Sequence, residues 1–136
     1  MDAFDTLTGY QNNGQGVLFR DFSGETTTAT STDVIANSII PVKINKPSVV
    51  KITISGRAQN NTDTNRYTLQ IAKDGVSVKS TGDNPKIDGI GQVFSLVHAE
   101  KISNVGTYEF SMASYGIGGD TIGVYNASII VEITPL

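Results

Sequence analysis

A two-residue alternation of apolar and polar side chains, clearest within residues 48–57, constrains this chain more than any other feature. Val50, Ile52 and Ile54 alternate there with Lys51, Thr53 and Ser55. Successive side chains of a strand point to opposite faces, so the segment reads as a strand with one oily and one wet face. The same period recurs in Tyr67, Leu69 and Ile71. Asp74-Gly75 then supplies the positive-φ pair that a tight antiparallel hairpin needs, with Val76 and Val78 on the returning strand. Phe94, Leu96 and His98, then Tyr108, Phe110 and Met112, then Tyr125, Ala127, Ile129, Val131 and Ile133 continue the pattern. With residues 17–22 and 38–44 as earlier candidates, about eight strands are expected, the pattern of an all-β sandwich or barrel.

Composition agrees. A chain of 136 residues is long enough for one core and too short for two. Only 17% of residues are charged and 14 are Gly, which suits short strands and tight turns. There is no cysteine, so disulfides, Cys zinc sites and thiol catalysis are all excluded. The net charge is −3 and Lys43, Lys46, Lys51 and Lys101 are scattered, so nucleic acid is not expected as a partner. No stretch reaches the apolar length of a membrane span, and the polar start at Met1 and Asp2 has no signal-peptide character. These features predict no membrane partner and a protein made and kept, or assembled, in a cytoplasm.

Chemistry-bearing patterns are sparse. His98 is the single histidine, so no His pair can hold a metal. Ser95, His98 and Asp88 could be drawn as a triad, but no G-x-S-x-G elbow accompanies them. Gly116, Gly118, Gly119 and Gly123 share the composition of a phosphate loop without a following helix. Asp83, Asp88 and Asp120 lack the spacing of a calcium loop. No carboxylate pair suggests glycoside hydrolysis. The expectation is therefore no catalytic residue, no metal and no cofactor. Loops at residues 59–65, 80–91 and 115–123 are rich in Gly, Asn, Asp and Thr. Asn60, Asn61, Asn65, Arg66 and Tyr115 there could hold a glycan by amide hydrogen bonds and stacking, or simply stay hydrated.

Surfaces say more. Ile39-Ile40, Val49-Val50, Val93-Phe94, Leu96-Val97 and Ile129-Ile130-Val131 put apolar side chains on both faces of their strands. A two-layer sandwich buries one face of each sheet, so the surplus suggests subunit association. Ile40, Val93, Val97 and Ile130 are the candidate trimer or partner interface. Residues 1–16 are polar apart from Phe4, Leu7 and Tyr10. They read either as a frayed terminus or as a flexible N-terminal arm docking through those three anchors, before a sandwich domain of residues 17–136.

The succession "TSTDVIANSIIPVKINKPSVVKITISGRAQNN", "RYTLQIAKDGVSV", "GTYEFSMAS" and "YNASIIVEIT" resembles the TNF/C1q-like jelly rolls of tailed-phage virion proteins, over roughly residues 26 to 134. The resemblance implies an antiparallel jelly-roll β-sandwich that forms a homotrimer about a threefold axis, with Tyr108, Phe110 and Tyr125 serving either the core or that axis. Its functional implication is a non-enzymatic virion protein, assembled in the host cytoplasm. That protein would be a capsid decoration (cement) protein binding the major capsid protein, or else a fibre tip recognising a host glycan.

Overall fold

The structure is a computed structural model that describes residues 7–12, 15–27, 33–60, 67–81, 92–116 and 121–136. Among the described residues ten strands follow one another: β1 Leu7–Asn12, β2 Gln15–Thr27, β3 Asp33–Val34, β4 Ile40–Ile44, β5 Ser48–Asn60, β6 Tyr67–Lys73, β7 Val76–Ser80, β8 Gln92–Ile102, β9 Gly106–Gly116 and β10 Thr121–Pro135. Among the described residues helix is confined to one 3-10 turn, Ala36–Ser38, and none is long and apolar enough to cross a membrane.

The strands form two antiparallel sheets. The first has the order β1-β2-β10-β5-β8; the second has the order β3-β9-β6-β7, with β4 also paired to β9. From β4 onward every connection except the β6–β7 hairpin crosses from one sheet to the other. That wrapping is a jelly roll, the β-sandwich that the resemblance implies. The hairpin turns at Asp74 (φ 50°) and Gly75 (φ 81°), the two left-handed residues anticipated there. Asp74 also anchors its tip to β9: its carboxylate accepts from the Glu109 amide at 2.8 Å, and its own amide donates to the Glu109 carbonyl at 2.7 Å.

The core lies between the sheets. Val50, Ile52 and Ile54 of β5 and Ile129, Val131 and Ile133 of β10 face Ile40, Val42 and Ile44 of β4, Leu69 and Ile71 of β6, and Phe110 and Met112 of β9. Burying each such side chain contributes about 1.5–3 kcal/mol. Buried Ser38 ties the 3-10 turn to β9, its hydroxyl accepting from the Met112 amide at 2.8 Å and donating to the Ile35 carbonyl at 2.7 Å.

Three expectations need correction. Ile40, expected on an interface, is fully buried: it lies opposite Phe110 and shares the inner face with Val42 and Ile44. Of adjacent Ile39 and Ile40 only one can face inward, and β4 register selects Ile40. The expected arm of residues 1–16 does not hold for its second half. Leu7–Asn12 pair with β2, Leu7 opposite Arg20 and Asn12 opposite Gln15, while Gly16 of β2 also pairs with Ile133. The hydrogen-bonding edge of β2 satisfies the backbone of this segment, so it joins the sheet. Phe4 lies outside the described residues; Leu7 and Tyr10 hold backbone positions in β1. Finally, Tyr125 does not share a face with Ala127. The register of β10 shifts at residues 125–127 against both β2 and β5, and Asn126 takes φ 48°. This bulge turns two successive residues outward and resets the alternation. Opposite it stands Gly56, where an added Cβ would fall 2.7 Å from the Ala127 Cα.

Candidate functional site

The outer face of the five-stranded sheet is built by register. Phe19 of β2 pairs with Ile130 of β10, Ile130 with Thr53 of β5, and Thr53 with Val97 of β8. These residues form one row across four strands, apolar except for the methyl-bearing Thr53. Phe19 is 37% exposed and Val97 44%, while Ile130 is half-buried between its neighbours. On one side runs a polar row, Asp21, Ser128, Ser55 and Ser95, in which the Ser55 and Ser128 hydroxyls lie 3.1 Å apart. On the other runs Val17, Glu132, Lys51 and Ala99. Beyond the serine row Tyr125, Arg57 and Val93 form a further row, with Val93 70% exposed. Tyr125 lays its ring back over Gly123, where an added Cβ would meet its hydroxyl at 2.5 Å; aromatic cover of a strand glycine excludes water from the ladder there.

Three of the four residues expected at an interface, Val93, Val97 and Ile130, therefore share this one outer face. The sequence did not reveal that Phe19 and Val17 join them. They belong to a strand whose other side carries Leu18 and Phe22, both in the core. Two apolar phases in one strand leave the outward one undecided until register is known.

The inner face of β8 carries the second notable group. Lys73 of β6 reaches across the sandwich to Glu100, Nζ to Oε2 at 3.0 Å, and the His98 Nε2 lies 3.2 Å from Glu100 Oε1. The Lys73 ammonium also sits 5.1 Å from the centroid of the Tyr108 ring, whose hydroxyl donates to the Asn104 carbonyl at 2.8 Å. Burial alone pushes the Glu100 carboxyl up. Hydrogen bonds from Lys73 and His98, with the charges of both, outweigh it and hold the group below 4.5, its ordinary value. Ser95 points outward and His98 inward on this strand, so a Ser95–His98 pair is not assembled. Asp83, Asp88 and Asp120 lie outside the described residues, as do the side chains of Asn60, Asn61, Asn65, Arg66 and Tyr115. Among the described residues no group of three His, Cys, Asp or Glu side chains could hold a metal ion.

No family model and no curated protein matches the sequence. Solved structures do. A chain in the structure of infectious bursal disease virus, Gt strain, is 11% identical with a TM-score of 0.55, over 90% of this chain and 34% of that one. The present chain thus spans about a third of that viral chain. A chain of Bacillus endospore appendages, described as disulfide-linked pili, is 13% identical with a TM-score of 0.44, over 96% of this chain and 98% of that one. A TNF protein, Eiger, of S. frugiperda is 8% identical with a TM-score of 0.42, over 96% and 91%. At such identities only the fold is shared.

Proposed function

We propose that this protein is a non-enzymatic structural component of a virion, in which three copies pack through the outer face of the five-stranded sheet and the trimer decorates and stabilises a bacteriophage capsid. The observation that carries the reading is the apolar row Phe19, Ile130, Thr53 and Val97, laid across four strands on a face that this chain leaves exposed. An isolated exposed aliphatic means little; a row in register, with Val17 beside it, makes a patch of the kind that subunits cover. A chain in the structure of a virus shares this fold, which supports the role, and three weak contacts per trimer would add up to tight attachment to a shell of major capsid protein.

Light scattering tests the association directly. The wild-type protein is expected at three chain masses or a multiple of three, and Ile130→Asp at fewer than three, with its circular dichroism unchanged. A wild-type monomer, or an Ile130→Asp protein that stays trimeric, would remove this face as the contact. Co-sedimentation of the trimer with phage heads then tests the capsid assignment, and absence of binding would leave the trimer without that role.

A further inference from the structure

Each sheet of an open sandwich ends in edge strands whose outward N–H and C=O groups can pair with another chain, and proteins guard them with short length, proline, lysine, bulges or inward-pointing charge. Four such devices guard the sheet formed by β3, β4, β9, β6 and β7. On one side β3 has two residues and β4 has five, with Pro41 and Lys43 among them. On the other, β7 also has five, carries Lys79, and shifts register against β6 at Ile71 and Ala72. The sheet β1-β2-β10-β5-β8 is different at β8, an edge strand of eleven residues paired, among the described residues, on one side to β5 alone.

Guarding of β8 covers only its second half. His98 and Glu100 turn charge-bearing groups inward and Lys101 lies outside. The first half, residues 93–97, is Val-Phe-Ser-Leu-Val. Val93 and Val97 are exposed on the outer face, and Phe94 and Leu96 pack against the core while remaining partly open on the inner face. The segment is also symmetric about Ser95. Running antiparallel to itself, it places Val93 opposite Val97 and Phe94 opposite Leu96, with Ser95 facing Ser95.

We infer that residues 93–97 of β8 pair antiparallel with the same residues of a second copy, about a twofold axis through Ser95. A two-sided apolar edge favours an occupant that is apolar on both sides in the same register, and this segment is such an occupant for itself. The pairing joins two five-stranded sheets edge to edge. It extends the inner core through the Phe94–Leu96 pairs, and on the outer face it leaves Phe19 and Ile130 uncovered. It shares Val97 with the proposed trimer contact but uses the strand edge rather than the outer face, so the two contacts can coexist and link trimers to one another.

Because the chain has no cysteine, single cysteines report the register cleanly. In the Ile130→Asp background, a mixture of Val93→Cys and Val97→Cys proteins is expected to form disulfide-linked heterodimers under mild oxidation, with little from either alone. Lys101→Cys, on the same face outside the segment, should give none. Charge provides the second arm: Ser95→Lys and Ser95→Glu should each abolish dimerisation, and their equimolar mixture should restore it. Cross-linking by Val93→Cys alone as efficiently as by the mixture, or Ser95→Lys that dimerises like wild type, would overturn the pairing. Either result leaves the light-scattering test of the trimer untouched.

Discussion

The inner face of the sheet β1-β2-β10-β5-β8 carries a charged side chain on either flank, in different rows: Arg20 of β2 beside Ile129, Ile54 and Leu96, and Glu100 of β8 beside Val50, Ile133 and Gly16. On one flank Arg20 points inward, and its Nε is buried without a hydrogen-bond partner. On the other, Glu100 receives Lys73 from the opposite sheet and lies against His98. The centres of both rows are aliphatic and fully buried. An inward charge is tolerated where part of the side chain still meets water, but only a partner removes the desolvation cost. Glu100 ties two sheets together; Arg20 fills space at a penalty.

Changing the centre has the largest expected effect. Ile129→Ala, in the fully buried centre of the Arg20 row, should lower unfolding free energy by about 2–5 kcal/mol in urea titrations, because a cavity opens where nothing can collapse into it. Glu100→Ala comes next, at about 1 kcal/mol, since it strands the Lys73 ammonium and is moderated by solvent at the edge. Arg20→Met reverses the sign. It removes an unsatisfied donor while keeping an apolar stem, and should raise stability by roughly 1 kcal/mol. An Arg20→Met protein as unstable as Glu100→Ala would show that both flanks are equally compensated and dissolve the comparison.

The pH response sharpens the same contrast more gently. The folded Glu100 carboxyl is held below 4.5, so its contribution is present above that value and is lost as the pH falls through the lowered folded pKa. Acid titrations of stability should therefore show a steeper loss below pH 4.5 in the wild type than in Glu100→Gln.

Much of this was readable in the sequence. Val50, Ile52 and Ile54 alternate without interruption and Asp74-Gly75 demands its own turn, so β5 and the β6–β7 hairpin could be placed from local order alone. Local order fails where a second strand decides. Ile40 and Ile39 are equivalent until β9 fixes the phase, and Tyr125 looks inward until the bulge at Asn126 is known. Leu7–Asn12 carry no alternation, and their strand exists because β2 offers an edge. Of the candidate interface, Val93, Val97 and Ile130 were visible as surplus apolar residues; Phe19 was not, and neither was the Lys73–Glu100 contact, whose partners are 27 residues apart.

One feature of the topology bears on how the molecule comes into being. The last strand, β10, occupies the centre of the five-stranded sheet, between β2 and β5, and brings Ile133 beside Gly16. A nascent chain emerging from the ribosome thus has the flanks of that sheet long before it has the middle. Until residues 121–135 are released, β2 and β5 have no common neighbour, and both expose strand edges and aliphatic faces. Such long-range closure is slow and leaves the waiting strands open to the wrong partners. It also acts as a completeness check, because a prematurely terminated chain lacks the strand that unites the sheet and never presents the row that spans it.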